Sequence, residues 1–153
     1  MVYDLIIIGG GPAGVAAGVY AARKKLKTLL ITDSFGGQSI VSPGIENWIG
    51  TPTISGSDLA KALTEHLESY RGENLEIKDG RRAAKVEKTA DFFKVSTDDG
   101  RSFETKALLV ATGSKRRKLT VPGADKYENK GITYCASCDG PLSSSPPAPR
   151  TIR

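Results

Sequence analysis

The stretch Ile6-Ile7-Ile8-Gly9-Gly10-Gly11-Pro12-Ala13-Gly14 decides how this chain is read. Three consecutive isoleucines suit a strand buried on both faces of a parallel sheet, because a half-exposed strand would alternate with polar residues. The apolar run, Asp4 to Ile8, stops at glycine. From Gly14 to Lys25 the pattern becomes an alanine-rich helix, with Ala13, Ala17 and Gly18 small enough for close packing and Arg23, Lys24 and Lys25 at the end that favours cations. Thr28-Leu29-Leu30-Ile31-Thr32 is a second buried strand, ending at Asp33. That is one βαβ unit.

Within this unit Gly9, Gly11 and Gly14 form Gly-x-Gly-x-x-Gly between a strand and a helix, with an acid at the end of the next strand. The first glycine permits a tight turn, the second lets the backbone approach a pyrophosphate, and the third lets helix and strand close up. Amide donors at the helix start would face the phosphates, and Asp33 would accept from a ribose hydroxyl. The expectation is an α/β domain that binds a dinucleotide.

From Ser34 to Ser57 glycine, proline and serine are dense, which predicts a long functional loop anchored by Trp48 and Ile49. A helix follows, capped by a residue such as Ser57, with Leu59, Leu63, His66, Leu67 and Tyr70 along one face. His66, the single histidine, reads as a boundary residue of that helix. Short strands at 75–78, 83–88, 92–97 and 101–105 form a small antiparallel ribbon, with Asp98-Asp99-Gly100 turning the last pair. The apolar run Ala107 to Ala111 then rejoins the parallel sheet as a fully buried strand.

The chain has 153 residues, 39% hydrophobic and 25% charged, enough for one ordinary domain and a stub. No run approaches the roughly 18 to 20 apolar residues that span a bilayer, so no membrane role is expected. Met1-Val2-Tyr3-Asp4 lacks the positive start of a secretion signal, which points to the cytoplasm. Net charge is +5, and Lys115-Arg116-Arg117-Lys118 is a basic cluster. No aromatic residues interleave with it and no nucleic-acid module surrounds it, so it reads as a solvated loop rather than a nucleic-acid site; attraction of anionic phosphates or of an acidic partner is the alternative.

Cys135-Ala136-Ser137-Cys138 is a Cys-x-x-Cys pair in a chain with two cysteines. At a helix start such a pair gains thiolate character and keeps both sulfurs within bonding range. Zinc is the rival, but it wants four ligands, which this chain could supply only by dimerising, so no metal site is expected. Asp139 follows the pair, either as an acid that manages protons or as one that merely suits a helix dipole. Beyond it, 141–153 begins with Pro141-Leu142-Ser143-Ser144-Ser145-Pro146-Pro147 and has almost nothing to bury, which predicts a disordered tail.

Order and spacing of Gly9-Gly10-Gly11-Pro12-Ala13-Gly14, Gly36-Gly37-Gln38, Ile45-Glu46-Asn47-Trp48, Ala111-Thr112-Gly113, Val121-Pro122-Gly123 and Cys135-Ala136-Ser137-Cys138-Asp139-Gly140 resemble the amino-terminal part of the low-molecular-weight thioredoxin reductases. The resemblance extends to about residue 142. It implies a three-layer, Rossmann-like FAD/NAD(P)-binding domain with a parallel sheet and a small antiparallel ribbon. It implies FAD as cofactor, with Gly10 to Ala13 at the pyrophosphate and Asp33 near the adenosine ribose. Gly36, Gly37 and Gln38 would wrap the ribityl chain and Asn47 would reach toward the flavin. Val86 would supply backbone contact near the adenine, and Ala111, Thr112 and Gly113 would mark the exit from the FAD domain. Cys138 would face the flavin, Cys135 would attack a protein disulfide, and Asp139 would be the acid.

The same resemblance implies thioredoxin or a thioredoxin-like protein as partner, and a possible homodimer. It divides the chain into an FAD-binding part at 1–114, a crossover at 115–140 that carries the dithiol, and the tail at 141–153. An intact family member continues into an NADPH domain and a returning segment with a Gly-Asp motif, and neither is seen in these residues. The expectation is therefore a truncated, marginally stable FAD domain with little NADPH-dependent turnover. The flavoprotein reductase of a peroxiredoxin system shares Cys138-Asp139-Gly140-Pro141-Leu142 but ordinarily carries an extra amino-terminal domain, so the thioredoxin reductase is preferred. A non-catalytic flavin-binding module is the third reading.

Overall fold

A computed structural model of the protein describes residues 1–114, 117–127 and 132. The chain divides into two units, Met1–Ser114 and Lys115–Arg153. In the first, strands β1 (Val2–Gly10), β2 (Thr28–Phe35), β3 (Leu75–Asp79), β4 (Ala83–Lys88), β5 (Phe93–Thr97) and β6 (Ser102–Val110) form one sheet in the order β3-β2-β1-β6-β5-β4. β3, β2, β1 and β6 run parallel, and β5 and β4 continue the sheet antiparallel. The fold is α/β and Rossmann-like.

Two apolar clusters lie on opposite faces of the parallel strands. On one, helices α1 (Pro12–Arg23) and α2 (Gly56–Glu68) enclose Ile7, Val15, Val19, Leu30, Leu67 and Leu75. On the other, Ile6, Ile8, Leu29 and Ile31 pack with Val95 of β5 and Phe103 of β6, so the antiparallel ribbon forms the third layer. The unbroken isoleucines of β1 are explained by this: consecutive side chains point to opposite faces, and both faces are dry.

Several boundaries differ from expectation for local reasons. Helix α1 ends at Arg23 rather than Lys25, because Lys25 adopts a left-handed φ of 57° and Leu26 N–H returns to the Ala21 carbonyl at 3.1 Å. Helix α2 is capped by Ser55, not Ser57: Asp58 N–H donates to Ser55 Oγ (3.1 Å), whose hydroxyl donates back to the Asp58 carboxylate (2.6 Å). The Ser34 to Ser57 stretch holds more regular structure than a loop, with a 3-10 turn at Gly37–Val41 and a bridge between Ile45 and Ile54. Trp48 and Ile49 do not anchor it; Ile49 is 96% exposed, and the paired backbones of Ile45 and Ile54 close the segment instead.

Leu75–Asp79 is not part of the ribbon but a parallel edge strand beside β2. The strands expected at 101–105 and 107–111 are one continuous strand, β6, which pairs with β5 at its start and with β1 along its length. Nor is it fully buried, since Leu109 and Val110 are exposed. His66 is exposed, its ring 5.8 Å from that of Tyr70. In the second unit, Val121–Gly123 leads into a short helix, α3 (Ala124–Tyr127).

Candidate functional site: a glycine bend at the end of the parallel strands

The bend between β1 and α1 is shaped by glycines that its own packing demands. A Cβ at Gly9, whose φ is +120°, would lie 2.2 Å from the Ala111 carbonyl oxygen, and one at Gly14 would lie 1.9 Å from that of Gly9. A Cβ at Gly10 would sit 2.6 Å from Thr32 Oγ1 and 2.9 Å from the Ser34 carbonyl oxygen. No flexible side-chain tip stands at these positions that could swing aside at Gly9 or Gly14, so any larger residue there displaces backbone. Gly11 is different. A Cβ on Gly11 would meet nothing nearer than Gly37 Cα at 3.8 Å, and its φ of −77° is open to any residue.

The start of α1 receives no side-chain cap, and no acidic residue lies in its first turn. The first intrahelical bond runs from Val15 N–H to the Gly11 carbonyl (3.0 Å), so the amides before it are donors outside the helix ladder. Together with the helix dipole this is a place for anionic oxygen. Facing it is Gly36-Gly37, both at positive φ; a Cβ on Gly37 would lie 3.3 Å from Gly11 Cα. Gly36 N–H donates to the Gly10 carbonyl at 3.1 Å, which ties the second loop to the first.

The structure thus brings Gly9, Gly10, Gly11, Pro12, Ala13 and Gly14 together with Gly36, Gly37 and Ala111, whose N–H donates to the Ile8 carbonyl (2.8 Å). Gln38 lies in the adjoining 3-10 turn, and Thr112 and Gly113 follow β6, all three exposed. Asp33 stands exposed near the end of β2. Asn47 is exposed within the segment closed by Ile45 and Ile54, and Val86 lies on the outermost strand, paired with Val95. Cys135, Cys138 and Asp139 lie outside the described residues, as do the tail and part of the basic cluster.

One participant was missed. Arg82 Nη2 donates to Asp33 Oδ2 at 2.6 Å, and that bond holds the guanidinium proton more firmly than usual. The signal for it was Gly80-Arg81-Arg82 directly after a strand, but it could be read only by knowing that β3 lies parallel beside β2. Thr32 pairs with Asp79, so the segment after β3 arrives where β2 ends.

The residues present fit an adenine dinucleotide such as FAD. A bare backbone bend at Gly11, amide donors at a helix start, a carboxylate near the end of β2 and a second glycine turn facing the first are the donor and acceptor set that pyrophosphate and ribose require. Sequence comparison matches residues 3–152 to the pyridine nucleotide-disulphide oxidoreductases.

The chain belongs to that family.

Membership carries pyridine-nucleotide and flavin chemistry at the level of the family. The chain is 41% identical over 140 residues to the F component of the alkyl hydroperoxide reductase of Staphylococcus aureus, covering 92% of this chain and 27% of that protein. The corresponding component in Escherichia coli is likewise 41% identical, over 143 residues, with the same shares. Among solved structures, the thioredoxin reductase of Streptococcus pyogenes superposes with a TM-score of 0.78 at 42% identity, covering 92% of this chain and 45% of that one. The thioredoxin reductase of Lactococcus lactis gives 0.74 at 40% identity with the same coverage. The chain therefore spans just over a quarter of the curated relatives' length and under half of the solved reductases'.

Proposed function

We propose that this oxidoreductase-family chain binds FAD at the glycine bend and serves the reduction of a protein disulfide, that of thioredoxin or a thioredoxin-like protein, through Cys135 and Cys138. One observation carries the nucleotide part: Gly9, Gly10 and Gly14 are required by the fold's own backbone, but Gly11 is not. Within a bend that its neighbouring glycines shape, a glycine with open space beside it lets a ligand approach the backbone closely. FAD, when bound, supplies a two-electron exchange with a disulfide.

The chain's own groups then have separate tasks. The backbone from Gly10 to Ala13, with Gly11 and Ala13 as its N–H donors, holds the pyrophosphate, Asp33 orients the adenosine ribose, and Val86 offers backbone to the adenine. Gly36, Gly37 and Gln38 border the ribityl chain, Asn47 reaches toward the flavin, and Ala111, Thr112 and Gly113 close the rim. Cys135 as thiolate attacks one sulfur of the substrate disulfide, forming a mixed disulfide and releasing the other sulfur as a thiolate. Cys138 displaces the second, so the pair is oxidised as the substrate gains two electrons. Asp139 supplies and collects protons. A dithiol that cycles in this way fits a reducing compartment such as the cytoplasm.

The second reading rests on the alkyl hydroperoxide reductase relatives at 41% identity: the same dithiol would then reduce the disulfide partner of a peroxiredoxin system. NADPH belongs to both readings as the source of electrons, and a homodimer as the working assembly. Because the sequence holds one Gly-x-Gly-x-x-Gly motif, dithionite replaces the pyridine nucleotide in the test. The purified chain is expected to bind FAD with a visible absorbance shift, and after dithionite to reduce thioredoxin. Gly11→Ala is expected to cost at most about 1 kcal/mol of stability yet weaken FAD at least about tenfold. An unchanged spectrum and melting temperature at saturating FAD overturn the proposal, and FAD binding without thiol transfer leaves a binding module.

A further inference from the structure

We infer that Arg82 is a positioning residue for the adenosine end of the nucleotide, holding the Asp33 carboxylate in the direction from which it accepts the ribose hydroxyls. This rests on the flavin-nucleotide reading and names a residue which that reading does not contain. Asp33 sits near the end of β2 with its side chain 53% exposed, where the rotamer of an aspartate is set by what its carboxylate bonds rather than by packing. Recognition of a sugar by one carboxylate needs a fixed direction, because a hydrogen bond weakens steeply as its angle closes.

Arg82 supplies that direction from 49 positions away in the chain. Its Nη2 donates to Asp33 Oδ2 at 2.6 Å. A carboxylate accepts about four hydrogen bonds, so this one is compatible with sugar hydroxyls on the same group. The arginine is itself gripped on both sides by backbone. Arg81 N–H donates to the Thr32 carbonyl (2.9 Å), next to Asp33, and the Arg82 carbonyl accepts from Asp98 N–H (2.9 Å). Arg81 Nε lies 3.4 Å from Asp99 Oδ2, and Thr97 donates to the other Asp99 oxygen at 2.6 Å. The turn between β5 and β6 thus braces the segment that carries Arg82 against the end of β2. An exposed ion pair on two free loops would add little, whereas one with both backbones tied loses less entropy on forming.

The test is a set of FAD titrations, by flavin fluorescence, on the unmutated chain, Arg82→Ala and Arg82→Lys, repeated with an FAD analogue whose adenosine ribose lacks both hydroxyls. Arg82→Ala is expected to raise the FAD dissociation constant about threefold to tenfold at an unchanged melting temperature. Arg82→Lys, which keeps the charge but not the planar fork, falls between. The analogue is expected to bind the unmutated chain and Arg82→Ala alike within about a factor of two, because the hydroxyls on which Asp33 acts are gone. Equal or tighter FAD binding by Arg82→Ala, or an equal loss with the analogue, overturns the inference while leaving the flavin reading intact. Failure of the unmutated chain to bind FAD overturns the flavin reading itself, and the role of Arg82 with it.

Discussion

β2 and β6 flank the same central strand, run parallel to it and pair along its length, yet one is sealed and the other half open. Five consecutive residues of β2, Thr28 to Thr32, are buried. In β6, Ala107, Leu109 and Val110 are exposed, Val110 to 63%. Register accounts for Ala107 and Leu109, whereas Val110, beside Ile8, lies on the ribbon face at the strand's end. Ala107 and Leu109 lie beside Leu5 and Ile7 and so share the helix face, but α1 packs chiefly over β1 and β2. Leu108, beside Ile6, is on the ribbon face and joins the cluster with Val95. An apolar strand is a statement about what a chain can bury, and the neighbours decide what it does bury.

Truncation of the sealed strand puts this contrast under the greatest strain. Leu30→Ala, in a position with no exposure, is expected to cost about 2–5 kcal/mol in chemical denaturation, because a cavity is left between α1 and the sheet. Were it to cost under about 1 kcal/mol, β2 would not be the sealed side.

Tyr3 gives an intermediate case, since it touches β6 on one side and β3, beyond β2, on the other. Its ring meets Phe103 of β6 edge-on at 6.3 Å between centroids, and its hydroxyl donates to the Glu76 carboxylate on β3. Burial, then the hydrogen bond to Glu76 and last its charge, pushes the Tyr3 phenol well above its usual 10.0. The neutral phenol is thus the form that the fold favours. Its contribution is complete below pH 10.0 and is lost as pH rises above it, where the unfolded chain ionises and the folded one resists. Glu76 is shifted the opposite way, downward, by its hydrogen bonds from Lys78 and Tyr3, so its share is lost as pH falls through the acid range. Tyr3→Phe is expected to cost about 1 kcal/mol at neutral pH and to flatten the fall in melting temperature above pH 10; an unflattened alkaline limb counts against this linkage.

The smallest effect lies on the open flank. Leu109→Ser, at 38% exposure on the uncovered face, is expected to change stability by no more than about 0.5 kcal/mol. A loss of about 2 kcal/mol or more, on the scale of core truncations, would mean that something covers this face in solution.

Much of the site was legible because its demands are local. A dinucleotide bend needs glycines at fixed intervals between a strand and a helix, and Gly9, Gly11 and Gly14 announce it within a single short stretch. The misread parts share a cause. Whether Leu75–Asp79 joins the ribbon or the parallel sheet, whether Trp48 anchors its loop, and which serine caps α2 all depend on partners distant in the chain or on which of two neighbouring hydroxyls meets an amide. Arg82 went unseen for the same reason: nothing in Gly80-Arg81-Arg82 mentions Asp33.

The βαβ unit, the glycine bend and the family of chemistry they serve could be read from the residue order alone, because alternation, helix propensity and left-handed backbone are properties of a few adjacent residues. It took the folded chain to establish that Gly11 has no packing reason to be glycine, that Arg82 grips Asp33, and that β6 keeps an open face. Each of these is a distance between residues far apart in the chain, set by strand order and register, which local pattern does not encode.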